Sequence, residues 1–471
     1  MLADAVPALF PSPSERARID NWLTATLQCA TARVQEGPVA PTTDFARFGA
    51  DLHELDFNEP RPLEDLLQWT IEQLEHGLVQ LSNPRYFGLF NPGASFPAQC
   101  ADRIAGAFNP QLASSASSPV PVAIESHVIR AVARRAALPT GATGHFATGG
   151  SEANYTALIC ALTGAHAGFA SDGVRVFGGP VKFYTSRECH IAWLKIAHQA
   201  GIGRNALVLV ATDGRGELDP RALAQAIAAD RASGSVPVMV VATAGTTAGG
   251  MIDPLHACAD IAQREDLWYH VDAAWGGAAL ASERMRGLLA GIERADSITI
   301  DAHKWLATTM GCAMFITCHG PLLSEAFHAS TNFMPSSNAA VDPYLTTLQW
   351  SRRFLGLKLF LELGAAGWAG LGAHVERSVA IAEEIKNRLT GRGWSVANES
   401  ALAVLDVIPP PELGNVRTLV QRVVASGRAW VAATRFEERD VVRICVTNGE
   451  TGLGDVDELV SALTSRVGDY P

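Results

Sequence analysis

The chain has 471 residues, of which 48% are apolar and only 18% are charged. Globular proteins typically carry about 25% charged residues, so this composition excludes a disordered or fibrous chain and indicates a large buried core. The net charge is −11, and no block of like charges occurs. Nucleic acid and anionic membrane surfaces are therefore not expected partners.

The eight cysteines are scattered along the chain, without a Cys-x-x-Cys pair or a His/Cys run of zinc spacing. We expect free thiols, no metal site and a reducing compartment. Residues 1–16 contain three prolines and no basic region ahead of an apolar run, unlike a secretory signal. No uncharged apolar stretch reaches the length of about 18 residues that a membrane span needs. We therefore expect a soluble, cytoplasmic protein.

The first part of the chain has helical periodicity. Residues 14–33 and 63–82 place apolar side chains at helical spacing, and a loop rich in Pro and Asp separates them. We interpret residues 1–82 as an N-terminal helical segment.

From about residue 120 onward, short β-rich runs alternate with helical segments. The predicted strands span residues 181–185, 206–211, 237–243, 267–271, 297–300 and 313–317. Their apolar residues are continuous rather than alternating, which is typical of strands covered on both faces in a mostly parallel sheet. Residues 83–355 are therefore predicted to form a large α/β domain.

The last part of the chain has a different pattern. A long helix interrupted by glycines is predicted over about residues 355–389, and strand candidates follow at 401–407 and 441–446. Helical segments separate these two strands. The pattern predicts a smaller α+β domain over residues 356–471.

Polar side chains cluster directly after several predicted strands. Ligands bind beyond the carboxyl ends of the strands in an open α/β sheet. The segments found there are His190 with its neighbours, residues 244–247, residues 272–274 and residues 301–305, and residues 148–154 open a helix with Gly-Gly-Ser. The convergence of a lysine, two aspartates, two histidines and this helix start on one edge is the main functional signal.

Each part of this cluster also has a structural interpretation. Gly-Gly-Ser before a helix is about equally often an ordinary N-cap, and a lone Asp or His is more often a cap or a structural residue. Lys304 is more informative, because an ammonium beside Trp305 is costly to bury and such a lysine can form an imine with a carbonyl. Together with Asp272 and an anion-binding helix start at Ser151, it predicts a pyridoxal phosphate (PLP) site.

Three motifs in this region resemble those of a known family. They are Tyr269–Gly277, Ala295–Ser297 and Asp301–Leu306, which contain His-Val-Asp-Ala-Ala and His-Lys-Trp. At this separation the pair resembles the group II PLP-dependent amino-acid decarboxylases, which include aromatic-L-amino-acid, glutamate, cysteine-sulfinate and diaminobutyrate decarboxylases. The resemblance covers roughly residues 60–450. It implies PLP fold type I, with a mostly parallel seven-stranded sheet, and a homodimer with active sites at the interface.

The resemblance also implies roles for the residues at the sheet edge. Lys304 would be the Schiff-base lysine, Asp272 the partner of the pyridinium nitrogen, and His190 the residue stacked on the ring. Ala274 would pack on the opposite face. The residues implied to contact the cofactor are Gly150, Ser151, His190, Thr246, Asp272, Ala274, His303 and Lys304.

Within that set, Gly150, Ser151 and His303 would lie at the phosphate, and Thr246 near the ring. Residues 86–92 would line the pocket of a small-molecule amino-acid substrate. The implied reaction is loss of the substrate carboxylate as CO2, followed by protonation of Cα to give an amine.

One departure from the family concerns the proton donor. The mobile loop of the family normally carries a tyrosine that protonates Cα, whereas Thr331–Pro335 places Phe333 there. In members with that replacement, oxidation by oxygen to aldehyde, ammonia and peroxide is expected, so Phe333 is a candidate catalytic residue. A shifted loop, or protonation by His190, Tyr344 or water, would retain amine formation, which we favour.

A second departure concerns the substrate. Aromatic-substrate members carry an aromatic residue where this chain has Leu89. Arg352, Arg353 and Arg443 are candidates to bind a substrate carboxylate, although at least one of the first two is expected to form a structural ion pair. Another PLP-dependent lyase or transaminase activity stays open. A non-catalytic cofactor-binding role is also open, although the intact set around Lys304 argues against it.

Overall fold

The computed structural model describes residues 8–41, 43–329 and 341–465. Phe333 and its segment, residues 331–335, lie outside the described residues. The helices are α1 (Pro13–Glu36), α2 (Phe45–His53), α3 (Leu63–Gly77), α4 (Phe96–Phe108), α5 (Pro119–Arg135), α6 (Gly150–Ala165), α7 (Phe169–Asp172), α8 (Ala192–Gln199), α9 (Pro220–Ala232), α10 (Leu255–Arg264), α11 (Gly320–Phe327), α12 (Leu357–Thr390), α13 (Val416–Ala425) and α14 (Leu453–Thr464). None of these helices is long and apolar enough to cross a membrane.

The strands of the described residues form two sheets. Their bounds are β1 (Thr143–Ala147), β2 (Val181–Ser186), β3 (Leu207–Val210), β4 (Val236–Thr243), β5 (Trp268–Asp272), β6 (Ser297–Asp301), β7 (Ala313–Thr317), β8 (Ser395–Val396), β9 (Val404–Ile408), β10 (Ala432–Phe436) and β11 (Arg439–Cys445).

The large sheet has the strand order β1-β7-β6-β5-β4-β2-β3. Strand β7 runs antiparallel to both of its neighbours, and the other adjacent pairs are parallel. The prediction of a mostly parallel, seven-stranded sheet flanked by helices is therefore confirmed. Since β2, β4, β5 and β6 are parallel, the segments that follow them emerge at one edge of the sheet.

Both faces of this sheet are buried, as the continuous apolar runs predicted. Phe183 and Val241 pack into one cluster with Leu158 of α6 and Trp193 of α8. The side chains next to them along the strands belong to a second cluster on the opposite face. That cluster includes Tyr184 and Val240 with residues of α9 and α10. Alternate residues of one strand therefore serve two separate helix layers.

The small sheet is antiparallel, in the order β10-β11-β9-β8. Helix α12 leads into it and is interrupted at Gly367, whose φ of 63° breaks the helical run. Phe87, in the segment predicted to line the substrate pocket (residues 86–92), joins the small sheet to the rest of the chain. The Phe87 N–H donates to the Trp430 carbonyl over 2.8 Å, and the Cys445 N–H donates to the Phe87 carbonyl over 2.9 Å. These bonds hold β11 beside the carboxyl edge of the large sheet.

Several local predictions were wrong. The predicted loop between residues 33 and 63 contains α2, whose first turn is capped by the Asp44 side chain, and the helix predicted to residue 82 ends at Gly77. Strands β1, β8 and β10 were not predicted. Strand β1 includes Gly144 and His145 and has no continuous apolar run, so its extended form depends on pairing with β7.

Candidate active site

A cavity of about 470 Å³ opens at the carboxyl edge of the large sheet. Its walls include segments that follow β2, β4, β5 and β6, together with the start of α6 and one residue of β11. Of the residues implied to contact a cofactor, all but Thr246 line it: Gly150, Ser151, His190, Asp272, Ala274, His303 and Lys304. The fold thus brings together side chains that are up to 154 positions apart in sequence, from Gly150 to Lys304.

Lys304 lies just beyond the end of β6, next to a buried acid. Its Nζ atom is 3.0 Å from Oδ2 of Asp301, whose side chain is only 3% exposed. The second oxygen of Asp301 has no hydrogen-bond partner among the described residues. A buried charge is costly without a counter-charge, so this pair lets the fold hold a lysine amine at the cavity wall.

Asp272 ends β5 and is held by a chain of buried polar groups. Its Oδ2 accepts from Nδ2 of Asn154 over 2.8 Å, and its Oδ1 accepts from the Ala274 N–H over 3.2 Å. The Asn154 Oδ1 atom lies 3.1 Å from Nε2 of His270, and the His270 Nδ1 atom lies 2.8 Å from Oγ of Ser297. Burial lowers the pKa of His270 to about 4, so its ring is neutral.

The donor directions along this chain follow from Asp272. A carboxylate only accepts, so Asn154 turns its amide nitrogen towards Asp272 and its oxygen towards His270. The neutral His270 must then donate from Nε2 and accept at Nδ1 from the Ser297 hydroxyl. The chain from Ser297 through His270 and Asn154 therefore fixes the orientation of the Asp272 carboxyl group.

The start of α6 has the features of an anion site. A Cβ atom at position 150 would lie 2.8 Å from the Asp301 carboxylate, so a larger residue there would displace that carboxylate. A Cβ atom at Gly149 would meet nothing within 4 Å, which leaves the first turn of α6 open to the cavity. A helix N-terminus with free N–H groups and a serine hydroxyl, here Ser151, suits a phosphate.

Two histidines line the same cavity. Nδ1 of His190 accepts from the Ala192 N–H over 3.2 Å, which leaves the proton of the neutral ring on Nε2. Burial lowers the pKa of His190, although Asp272 opposes that shift. His303 accepts at Nδ1 from the Cys312 N–H, and burial also lowers its pKa. Both rings are therefore expected to be neutral near pH 7.

An aromatic stack supports the cavity. Trp275 and Trp305 lie parallel with ring centres 4.5 Å apart, and Phe90 is 4.6 Å from Trp275. Trp275 directly follows Ala274, and Trp305 directly follows Lys304. The stack therefore connects the two segments that carry the key residues and restricts their movement.

Thr246 is placed differently from the rest of the predicted set. Its side chain is fully buried, and its hydroxyl accepts from the Met251 N–H over 3.0 Å. Thr243, Gly245 and Thr247 line the cavity instead. The Thr246 hydroxyl therefore stabilises the turn after β4.

The three candidate arginines have different surroundings. Arg352 is buried in an ion pair with Glu125, 3.0 Å away, as expected of a structural residue. Arg353 is 75% exposed and lies outside the cavity. Arg443 of β11 lines the cavity, where it donates from Nη1 to the Thr247 carbonyl over 2.7 Å. Its Nε atom has no hydrogen-bond partner among the described residues.

The lysine, the fixed carboxylate and the open helix start fit pyridoxal phosphate. An amine, a carboxyl group held in place by hydrogen bonds and an anion cradle are the three groups that this cofactor needs. The orphaned oxygen of Asp301 and the open space over Gly149 are both consistent with a bound group. The fold and site thus define a PLP-dependent enzyme of fold type I.

The chain belongs to the pyridoxal-dependent decarboxylase family. The family model described as the pyridoxal-dependent decarboxylase conserved domain matches residues 51–401. The chain is 33% identical to the cysteine sulfinic acid decarboxylase of Mus musculus, over 87% of this chain and 90% of that protein. It is 27% identical to the aromatic-L-amino-acid decarboxylase of Bacillus atrophaeus, over 92% of each chain.

A solved structure supports the same conclusion. The crystal structure of Oryza sativa TDC with PLP and tryptamine superposes with a TM-score of 0.89 at 25% identity, over 96% of this chain and 98% of that one. The protein is a PLP-dependent carboxy-lyase that converts an L-amino acid into the amine and CO2. Because the relatives are decarboxylases, they favour the amine over the oxidative alternative.

The sequence patterns did not assign a role to several residues of this site. Asn154 and His270 lie inside quoted motifs, but their side chains take part in the chain that holds Asp272. Ser297 begins β6 and completes that chain. Asp301 was treated only as a polar residue after a strand. Asp301 ends β6, where the i,i+3 rule for helices does not apply, so its ion pair with Lys304 had no signal in the sequence.

Proposed function

We propose that the substrate is an L-amino acid with a single carboxylate and an uncharged, mainly apolar side chain. The observation that carries this proposal is the lining of the cavity, which combines one arginine from the small sheet with apolar side chains. Leu89, Phe90 and Met310 line it. Leu89 and Met310 are also exposed at its mouth.

We propose roles for the site residues from their places in the cavity wall and from the resemblance to the family. Bound PLP supplies a sink for the electrons of the Cα–carboxylate bond. Lys304 provides the amine that binds the cofactor's aldehyde, and Asp272 holds a proton on the pyridine nitrogen. Gly150 and Ser151 bind the phosphate. His190 would cover one face of the ring, as the resemblance implies, and its Nε2 proton would then be available to the substrate carbon.

His303 and Ala274 complete this assignment. The resemblance assigns the neutral His303 ring to the phosphate, and its Nε2 lies 3.8 Å from the Asp301 carboxylate. Ala274 lies between Asp272 and the Trp275 stack, where a methyl group leaves room for a flat ring. The resemblance supports a place for Thr246 near the ring, although its hydroxyl is taken up in the turn.

Arg443 is the proposed partner of the substrate carboxylate. Its guanidinium lies 5.4 Å from the centre of the Phe90 ring and keeps an unpaired Nε–H. An unpaired buried donor is costly, so a carboxylate oxygen that accepts from it is favoured. With Lys304 engaged by the cofactor, Arg443 is the remaining Lys or Arg among the described residues that line the cavity. A second acidic group on the substrate would therefore lack a partner there.

A substrate panel tests this proposal. We expect CO2 and amine to be released from leucine, methionine or phenylalanine with a higher kcat/KM than from cysteine sulfinate or glutamate. The buried acidic group of the latter would be unpaired, which costs at least about 2 kcal/mol, or roughly 30-fold. Amine and CO2 should form in equal amounts without oxygen uptake.

The Arg443→Met variant is the matched check on the same panel. Its KM should rise for every substrate, because all of them share the α-carboxylate, whereas Arg353→Met outside the cavity should leave KM unchanged. A preference for glutamate or cysteine sulfinate would contradict the substrate class. Peroxide and aldehyde as products would instead support the oxidative alternative.

We further propose that the chain forms a homodimer through α4 and the segment after it. Phe108 and Phe96 of α4 and Val120 of α5 are 82%, 73% and 66% exposed. Ile104, Phe108 and Val120 line one apolar groove of about 730 Å³. Contiguous exposed apolar surface of this kind marks an interface, and a second copy of the chain presents the same surface to it.

The Phe108→Glu variant is expected to shift the protein from dimer to monomer. A buried charge at a central aromatic position weakens association by about 2 kcal/mol or more. Light scattering after size-exclusion chromatography should give twice 49.9 kDa for the wild type and a single chain mass for the variant at low concentration. Leu453→Glu, an exposed apolar residue at the start of α14, is the control. A monomeric wild type would contradict the proposal.

We also propose a cytoplasmic location for the protein. All eight cysteines are free thiols, and Cys160, Cys258, Cys312 and Cys445 are buried. Free thiols persist in a reducing compartment, which supports a cytoplasmic location that fractionation would test.

The division of the chain into residues 1–82, 83–355 and 356–471 is likewise proposed, with limited proteolysis at its boundaries as the test.

A further inference from the structure

A second cavity, of about 480 Å³, lies behind the loop that carries Lys304. Its walls come from the start of α4, from α12 on both sides of the Gly367 interruption, and from residues 448–450. Leu306 and Ala307 form part of the wall. None of the residues that line the first cavity is shared with it.

Glu362 of α12 is an unusual group in this wall. Its side chain is only 2% exposed. Its Oε1 accepts a short hydrogen bond from the Ser95 hydroxyl, and its Oε2 has no hydrogen-bond partner among the described residues. Burial raises the pKa of Glu362 to about 8. A buried carboxyl with one unpaired oxygen is costly, so an occupant that donates to it is favoured.

Glu450 and His374 add further acceptors to the lining. Glu450 is exposed, and its carboxylate accepts from Nε2 of Gln35 over 2.5 Å. His374 donates from Nε2 to the Trp305 carbonyl over 2.9 Å, which leaves Nδ1 as an acceptor, and burial lowers the pKa of His374. Arg377 lies near His374, but its guanidinium is taken up by the carbonyls of Gly449 and Thr451.

The lining therefore selects a particular kind of ligand. Among the described residues that line this cavity there are two carboxyl groups and no lysine or arginine. Phe96, Pro97, Leu306 and Leu371 supply apolar surface, which offers no ligands to a bare metal ion. A cation with several N–H donors and an apolar body matches both parts.

The cavity is coupled to the catalytic lysine through the backbone. The Ala307 carbonyl accepts from the Ser95 N–H over 2.8 Å, and the Ala307 N–H donates to the Lys304 carbonyl over 2.9 Å. Ala307 has a φ of 59°, a left-handed conformation that is strained for alanine and persists where its surroundings hold it. Ser95 therefore contacts both Glu362 and the Lys304 loop.

We propose that this second cavity is a binding site for a small organic ammonium ion, the chemical class of the amine that the decarboxylation releases. The ammonium group binds at the unpartnered Oε2 of Glu362, in the cavity that Glu450 also lines, and its apolar part packs on Leu306 and Leu371. This inference rests on the proposed function only for the link to the product. Binding in this cavity affects the Lys304 loop, because Ser95 and His374 both form hydrogen bonds with it.

Isothermal titration calorimetry tests the site on holoenzyme that has been reduced with borohydride, so that Lys304 no longer exchanges with amines. The probes are isobutylamine and phenethylamine. We expect one binding event in the wild type and at least a tenfold loss of affinity in Glu362→Gln, since the amide cannot supply a negative charge. Glu383→Gln, an exposed site on the same helix, should bind like the wild type.

Proton release gives a second readout. At pH 7 the carboxyl group of Glu362 must ionise to pair with an ammonium ion, so the wild type should release a proton on binding. Titrations in two buffers of different ionisation enthalpy measure that proton, which should be absent in Glu362→Gln. Ala366→Phe fills the cavity while it retains Glu362, so this variant should also lose binding. It replaces Glu362→Gln as the test if Glu362→Gln does not fold.

Three results would overturn the proposal: no binding in the reduced wild type, equal affinity in Glu362→Gln and wild type, or heat from potassium chloride equal to that from the amines. These three binding results are distinct from a failure of the proposed function. If the proposed function fails, unreduced holoenzyme will release no CO2 from any amino acid of the panel, whether or not the amines bind.

Discussion

Replacing Lys304 with alanine is expected to lower kcat/KM by about 10⁴-fold or more, because the variant loses the one lysine amine that the described residues place at this wall to bind the cofactor covalently. Among the described residues, the other lysines lie outside the first cavity. The measurement is CO2 release at saturating cofactor. Borohydride treatment followed by mass spectrometry should show a cofactor-labelled peptide in the wild type and none in the variant.

The matched control is Lys386→Ala, an exposed lysine of α12 paired with Glu383. It removes the same amine from a surface site, so its activity and labelling should equal those of the wild type. Labelling of a different lysine in the wild type would overturn the assignment. Loss of activity with the label retained in Lys304→Ala would do the same.

Replacing Asp272 with asparagine is expected to lower kcat by about 10²- to 10³-fold while cofactor labelling of Lys304 persists. The amide removes the negative charge that keeps the pyridine nitrogen protonated. It can still accept from Asn154, but its NH2 group would then face the Ala274 N–H, so two donors would meet. The loss should therefore appear in kcat rather than in cofactor attachment.

Asp219→Asn is the matched control for Asp272. Asp219 caps α9 by accepting from the Arg221 N–H, and asparagine caps a helix about as well. It should leave kcat and thermal stability unchanged. A kcat for Asp272→Asn within a factor of two or so of the wild type would show that Asp272 is not the partner of the ring nitrogen.

Much of the site could be located from the sequence because parallel strands end at one edge of their sheet. Once residues 267–271 and 297–300 were interpreted as strands, Asp272 and Lys304 had to emerge at the same edge. The same reasoning placed His190 there. It did not identify Asp301 as the counter-charge of Lys304, because that depends on a side-chain distance of 3.0 Å.

The arginines show where sequence reasoning ends. Arg352, Arg353 and Arg443 were equivalent candidates as residue types, yet one is in a buried ion pair, one is exposed and one reaches the cavity. In the same way, the sequence could not show whether Thr246 or its neighbours face the cavity, because that depends on the conformation of the turn after β4. Position relative to a strand end predicts proximity to a site, but it does not predict which way a side chain points.

The sequence alone determined the fold class, the cofactor and the family, because apolar periodicity and the spacing of HVDAA from HKW are local properties of the chain. Only the tertiary structure decided the pairing of β1, β8 and β10, the polar chain from Ser297 to Asp272, the place of Arg443 in the cavity wall and the second cavity at Glu362. Those features depend on contacts between segments distant in sequence. Their energies arise from burial and hydrogen bonding that exist only once the chain has folded.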